Sequence, residues 1–269
     1  MRSMLIPLAC GLLAVTFVRA EEAPKKPWSD AAEFGLVMTS GNSEGTNFAL
    51  SNKFKYTWTK AEFTCDLAAL RTESRNRDIE NVGGVLVVTD TTTVTAENYV
   101  FGAKYSRNIT DRLYWYVGAG WYRNVFAGID QRYLVSGGIG YTFIKSPRHL
   151  LKGEIGFDGT HEEPVFTDST DYAALRGTVN YEFKFGEKSK LTEDLNAVEN
   201  LDTTSAWRAN SITAITASMN EWLALKFSYT VIYQNEPPTK PISAAGFPDV
   251  IYTFEKTDTI LTAALVINF

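Results

Sequence analysis

The chain has 269 residues, 45% of them hydrophobic, with 26 Lys and Arg against 31 Asp and Glu for a formal charge of −5. Acids and bases are mixed throughout and no basic tract occurs, which argues against a nucleic-acid partner. Only one of its two cysteines, Cys65, lies beyond residue 20, so no disulfide framework is available and pairing and packing must hold the fold.

Residues 1–20 open on Arg2, run apolar from Leu5 to Val18 and close on the small-residue pattern Val18-Arg19-Ala20, the features of a cleaved secretory signal peptide. The run is too short for the roughly 20 residues of a spanning helix, and no later run is long enough either. Residues 21–30 are rich in proline and charge and read as a linker on the inner side of the envelope. From residue 31 to residue 269 the hydrophobic pattern has period two, which predicts strands.

Twelve strands are expected, over 31–40, 46–58, 61–73, 94–107, 113–125, 131–144, 150–160, 171–185, 189–200, 205–218, 222–234 and 257–269. The eleventh is the clearest. Leu223, Leu225, Phe227, Tyr229, Val231 and Tyr233 alternate with Ala224, Lys226, Ser228, Thr230, Ile232 and Gln234. The ninth is the least regular, because Glu193 and Glu199 share the face of Leu191 and Leu195. Five connections are short: "TWTKAE", "NITDR", "KSPRH", "GEKSK" and "MNEW". They alternate with six others, of which "SRNRDIENVGGVLVVTDTTT", "HEEPVFTDST" and "QNEPPTKPISAAGFPDVIYTFEK" are long. Tight turns on one rim and long loops on the other are the asymmetry of outer-membrane barrels, and an even strand number puts both ends on the short-turn, periplasmic side.

A soluble sandwich is the competing reading, since alternation alone requires only one dry face. Charges decide against it. The mixed faces carry Lys53, Lys55, Lys104, Lys152, Arg176, Lys184, Arg208 and Lys226 opposite Glu62, Asp66, Glu154, Asp158, Glu182, Asp194 and Asp258, as a water-rich, cross-linked lumen would. Aromatic residues also gather near strand ends, among them Tyr56, Trp58, Trp115, Trp121, Phe183 and Trp222, suited to headgroup level. The final strand places Leu265, Ile267 and Phe269 on one face. That pattern resembles the sorting signal of outer-membrane proteins, which implies handling by the barrel-assembly machinery during insertion. The fold class is therefore all-β: a closed antiparallel up-and-down transmembrane β-barrel of about 12 strands in the outer membrane of a Gram-negative-type envelope, with lipid as its surroundings.

Two stretches, "AAEFGLVMTSGNSEG" with Gly35, Thr39, Gly41 and Asn42, and "GIDQRYLVSGGIGYTF" with Gly128, Asp130, Arg132, Gly138, Gly140 and Tyr141, resemble the family of salt-induced outer membrane proteins catalogued as domain of unknown function 481. The resemblance implies an outer-membrane barrel and brings no catalytic residues.

Catalysis is not expected. A hydrolytic triad could form only around His161, with Asp158, Glu162, Glu163 or Ser169, because His149 falls at the opposite rim. The acidic loops "EEP" and "TDSTD" lack EF-hand spacing, no Cys/His cluster suggests zinc, and "SGNSEG" lacks the lysine of a phosphate loop, so no metal or cofactor is expected. Three functions stand in order: a structural or stress-associated barrel with a charge-paired lumen, a narrow diffusion channel for small polar solutes, and an outer-membrane hydrolase.

Overall fold

The computed structural model describes residues 26–39, 44–82, 85–244, 247–253 and 255–269. The segment read as a signal peptide and the first half of the expected linker, together with Gly41 and Asn42, lie outside the described residues. Strands in chain order are β1 (Trp28–Thr39), β2 (Glu44–Thr57), β3 (Ala61–Val82), β4 (Val85–Asn108), β5 (Leu113–Asn124), β6 (Ile129–Lys145), β7 (His149–Pro164), β8 (Thr170–Lys184), β9 (Ser189–Asn200), β10 (Arg208–Ser218), β11 (Leu223–Gln234), β12 (Thr239–Ala244), β13 (Phe247–Thr253) and β14 (Thr257–Asn268).

Twelve of them, β1 to β11 and β14, form one closed antiparallel barrel in which every neighbour is the next strand of the wall, while β12 and β13 pair only with each other. The closing seam joins β1 to β14 from Ala31 opposite Asn268 to Phe34 opposite Leu265. The Phe269 amide adds a hydrogen bond to the Asp30 carbonyl at 2.9 Å. Closure matters because an unpaired peptide group in hydrocarbon costs several kcal/mol, which a barrel without edges avoids.

Three departures from the expected strands have physical causes. β1 starts at Trp28, within the expected linker, because Trp28 to Asp30 pair with Tyr56 to Phe54. β3 and β4 run on as one ladder from Ala61 opposite Arg107 to Val82 opposite Val85, across the stretch read as a long loop. Residues 239–244 and 247–253, also read as loop, pair as β12 and β13. Between β3 and β4 backbone pairing continues through sequence rich in threonine and charge, and in β12 and β13 Pro241 and Pro248 interrupt the alternation.

The two faces of the wall are unlike. Large apolar side chains on one face stay exposed, including Leu261 at 80%, Val135 at 68% and Phe227 at 58%. The opposite face carries bonds between strands that are not neighbours. Lys104 on β4 meets Glu154 on β7, and Lys226 on β11 meets Glu33 on β1 at 2.7 Å. Side chains can reach past an intervening strand only on the concave side, so this face is the interior and the apolar face is the outer belt. At the short-turn rim the belt ends in a run of rings: Tyr56 against Trp58 at 4.5 Å, Trp58 against Tyr105 at 6.2 Å, and Tyr105 against Trp115 at 5.7 Å.

Glu193 places a carboxylate on that belt. It faces outward beside Thr213, and accepts hydrogen bonds from Ser211 at 2.7 Å and Thr213 at 2.5 Å on β10. These two donors reduce the cost of an acid on a lipid-facing wall.

Inside, two tyrosines lie flat against glycines of β6 and β7. A Cβ on Gly140 would sit 2.3 Å from the Tyr114 ring, and one on Gly156 would sit 2.4 Å from the Tyr116 hydroxyl. A Cβ on Gly138 would stand 2.2 Å from the main-chain oxygen of Ile155, whereas Gly177 has nothing within 4 Å. Gly138→Val should therefore lower stability by about 1–3 kcal/mol through overpacking, and Gly177→Ala should leave it unchanged. The unfolding temperature of the refolded barrel in detergent checks this, and equal midpoints for both variants would contradict the close approach at Gly138.

Candidate functional site

The interior side chains form a ladder of charge pairs set by strand register. Near the short-turn rim, Lys55 pairs with Glu62 at 2.5 Å and Lys53 with Asp66 at 3.5 Å between β2 and β3. Glu154 takes both Lys104 and the Tyr114 hydroxyl, the latter at 2.8 Å, and Lys152 is crowded by Lys55, Lys104, Glu62 and Glu154. Glu182 is shared by Lys190 at 3.1 Å and Lys184 at 3.6 Å, and Asp194 accepts from Asn180 at 2.6 Å. Midway up, Arg176 forks onto both oxygens of Asp158, whose side chain is fully buried. Lys226 pairs with Glu33, and Asp258 lies opposite Ile232 on β14.

Toward the loop rim a second network connects four strands. Arg132 on β6 donates to Glu162 on β7 at 2.6 Å. Tyr172 on β8 donates to the same Glu162 oxygen at 2.9 Å and accepts from Arg208 on β10 at 2.8 Å. The guanidinium of Arg132 also lies 5.5 Å from the Tyr122 ring centroid.

Sequence reasoning placed Arg208, Asp158 and Arg176 on the charged face but did not assign Glu33, Arg132, Glu162, Tyr114 or Tyr172 to it. Parity alone identifies Glu162, which lies two and four residues from Thr160 and Asp158 on one strand face. The second resemblance stretch has structural reasons. Gly128 takes a φ of 80° after the short 3-10 turn Val125–Ala127, Asp130 pairs with Arg123 at 3.2 Å, and Gly138 and Gly140 make room for the tyrosines.

Of the triad partners weighed for His161, only Glu163 meets it by hydrogen bond. His161 points outward, past Ile155 and Phe157, while Asp158 and Glu162 point inward. Its Nδ1 meets Asp171 at 2.7 Å and its Nε2 meets Glu163 at 3.2 Å. Both ring nitrogens face carboxylates, so neither addresses a hydroxyl nucleophile. His149, at the opposite rim, bonds Tyr181 at 2.8 Å and stacks on Phe183 at 4.8 Å. Among the described residues no group of three or more His, Cys, Asp and Glu could hold a metal ion.

The chain is 23% identical over 216 residues to the uncharacterized protein YdiY of Escherichia coli (strain K12), covering 80% of this chain and 77% of that protein. Among solved structures it is similar to the NanC porin, at 7% identity and a TM-score of 0.44, over 90% of this chain and 97% of the other. It is also similar to the translocator domain of the autotransporter NalP from Neisseria meningitidis, at 10% identity and a TM-score of 0.42, over 90% and 86%. Resemblances this distant carry no argument about the interior, and the barrel rests on its own strand pairing. The model of the family described as "Protein of unknown function, DUF481" matches residues 32–269, and the chain belongs to that family.

Proposed function

We propose that this barrel is a narrow diffusion channel for small polar solutes in the outer membrane. One observation carries the reading. Lys53 and Asp66 pair on the interior face, yet their side chains remain 64% and 48% exposed. An ion pair on a concave face keeps that exposure only where water reaches it. The opposite side of the interior is dry, with Tyr116 and Tyr172 buried and Asp158 sealed under Arg176. A passage along β2 and β3, walled by packed tyrosines and ion pairs, fits polar solutes of modest size.

The same dry wall favours a second reading, in which the interior is filled by its own pairs and the barrel serves the envelope structurally, in response to stress. In either case export uses residues 1–20, and the face ending in Leu265, Ile267 and Phe269 is read by the assembly machinery before insertion into lipid.

Planar-bilayer recordings separate the two readings. Steady single-channel openings are expected, and a silent protein that is folded by circular dichroism would overturn the channel. If the passage runs along β2 and β3, Lys53→Glu should move the reversal potential toward cation preference by a few-fold in permeability ratio, the scale of roughly 1 kcal/mol for one charge near 4 Å in a watery medium. An unchanged reversal potential would place the conducting path elsewhere.

A further inference from the structure

The loop-rim network contains more base than acid. Arg132 takes the one carboxylate of the network, Glu162, directly, and Arg208 is linked to it only through the Tyr172 hydroxyl. Arg132 is only 8% exposed. Arg208 reaches no carboxylate within 4.0 Å among the described residues. Its one described hydrogen bond goes from Nη1 to the Tyr172 hydroxyl, whose own proton is directed at Glu162. A guanidinium has five N–H donors in a planar fork, so among the described residues most of those of Arg208 are uncommitted. The side chain is half-buried, with its guanidinium carbon 5.9 Å from the Tyr172 ring centroid. It bonds across β9, which puts it on the concave face. Nearby on the same face Thr160, 3% exposed and opposite Tyr172, carries a buried hydroxyl with no partner.

We propose that Arg208, supported by Arg132, Tyr172 and Thr160, forms an oxyanion subsite near the loop-side mouth that takes the carboxylate or phosphate group of a small anionic solute. Its role in uptake rests on the channel reading given above. The fork of Arg208 matches two oxygens of such a group, and Tyr172 and Glu162 fix its orientation. Chloride, a single acceptor atom that cannot set two oxygens opposite the fork and reach the Thr160 hydroxyl as well, competes weakly.

The test uses the full-length refolded protein in detergent at constant ionic strength, titrated with sodium acetate, with sodium phosphate and with sodium chloride. A ligand that binds only the folded state raises the unfolding temperature in a saturable way. Acetate, phosphate or both should do so and chloride should not, and the responding salt names the group recognised. Arg208→Gln should weaken the apparent affinity about tenfold, the effect of losing hydrogen bonds to a charged partner. Lys188→Gln, an equal charge change in a short turn at the opposite rim, should leave it as it is. If Arg208→Gln does not refold, Arg208→Lys replaces it, with the charge kept, the fork lost and affinity still reduced. Identical curves for the three salts, or an Arg208 variant that titrates like the wild type, would overturn the subsite. A silent bilayer with an Arg208-dependent titration would remove the channel and leave the subsite, whereas a conducting protein whose titration ignores Arg208 would do the reverse.

Discussion

A sheet in hydrocarbon cannot leave a free edge, and the rest of this molecule follows from how that requirement is met. The seam between β1 and β14 is registered over four residue pairs, from Ala31 to Phe34, whereas β1 and β2 are paired along the whole of β1. Side chains reinforce the short seam on both faces. Inside, Lys226 reaches over β14 to Glu33, so β11 is tied to β1 across the closing strand. On the outer face Asn52 on β2 donates to Asp30 at 2.8 Å, just where the Phe269 amide meets the Asp30 carbonyl. Closure is thus achieved by main-chain bonds and held by an ion pair on the concave face.

Curvature then decides what the interior can contain. Bending a sheet inward brings together side chains two or three strands apart, which a flat sheet would keep separate. Large residues need space beneath them, and the glycines of β6 and β7 supply it to Tyr114 and Tyr116. The result is a two-sided lumen. Its β5 to β10 side is packed with tyrosines and the sealed Asp158–Arg176 pair, and its β2 to β3 side keeps exposed charges. Packing on one side is what leaves room on the other.

Period two, short turns and greasy outer faces could be read from the sequence because a lipid belt imposes a strict alternation wherever it is present. Beyond the belt that constraint ends. Residues 74–82 and 85–93 are rich in threonine and charge, so their pattern resembles a loop although the β3–β4 ladder continues through them. Pro241 and Pro248 hid the β12–β13 hairpin in the same way. Parity could have separated His161 from Asp158 and Glu162, since odd and even positions of one strand face opposite sides. Pairs such as Lys104 with Glu154 were not legible, because they depend on stagger accumulated across several strands. Glu193 was visible as an irregularity, but its Ser211 and Thr213 donors come from register with β10.

Register also corrects the impression that lumen charge is evenly balanced. Counted along the sequence, bases and acids on the mixed faces nearly cancel. Grouped by contact, they do not. Near the short-turn rim Lys55, Lys104 and Lys152 surround Glu62 and Glu154, and Glu182 serves both Lys184 and Lys190. Near the loop rim Arg132 pairs with Glu162, and Arg208 is joined to that carboxylate through Tyr172. Each cluster therefore holds one more base than acid, with the neutral Asp158–Arg176 pair between them. The compensating acids lie partly outside the lumen, as with Glu163 and Asp171 around His161 on the outward face. Charge at this separation acts locally, because salt screens beyond about 8–10 Å. If the barrel conducts as proposed, a solute would pass clusters with a surplus of base near each rim and a neutral pair between them.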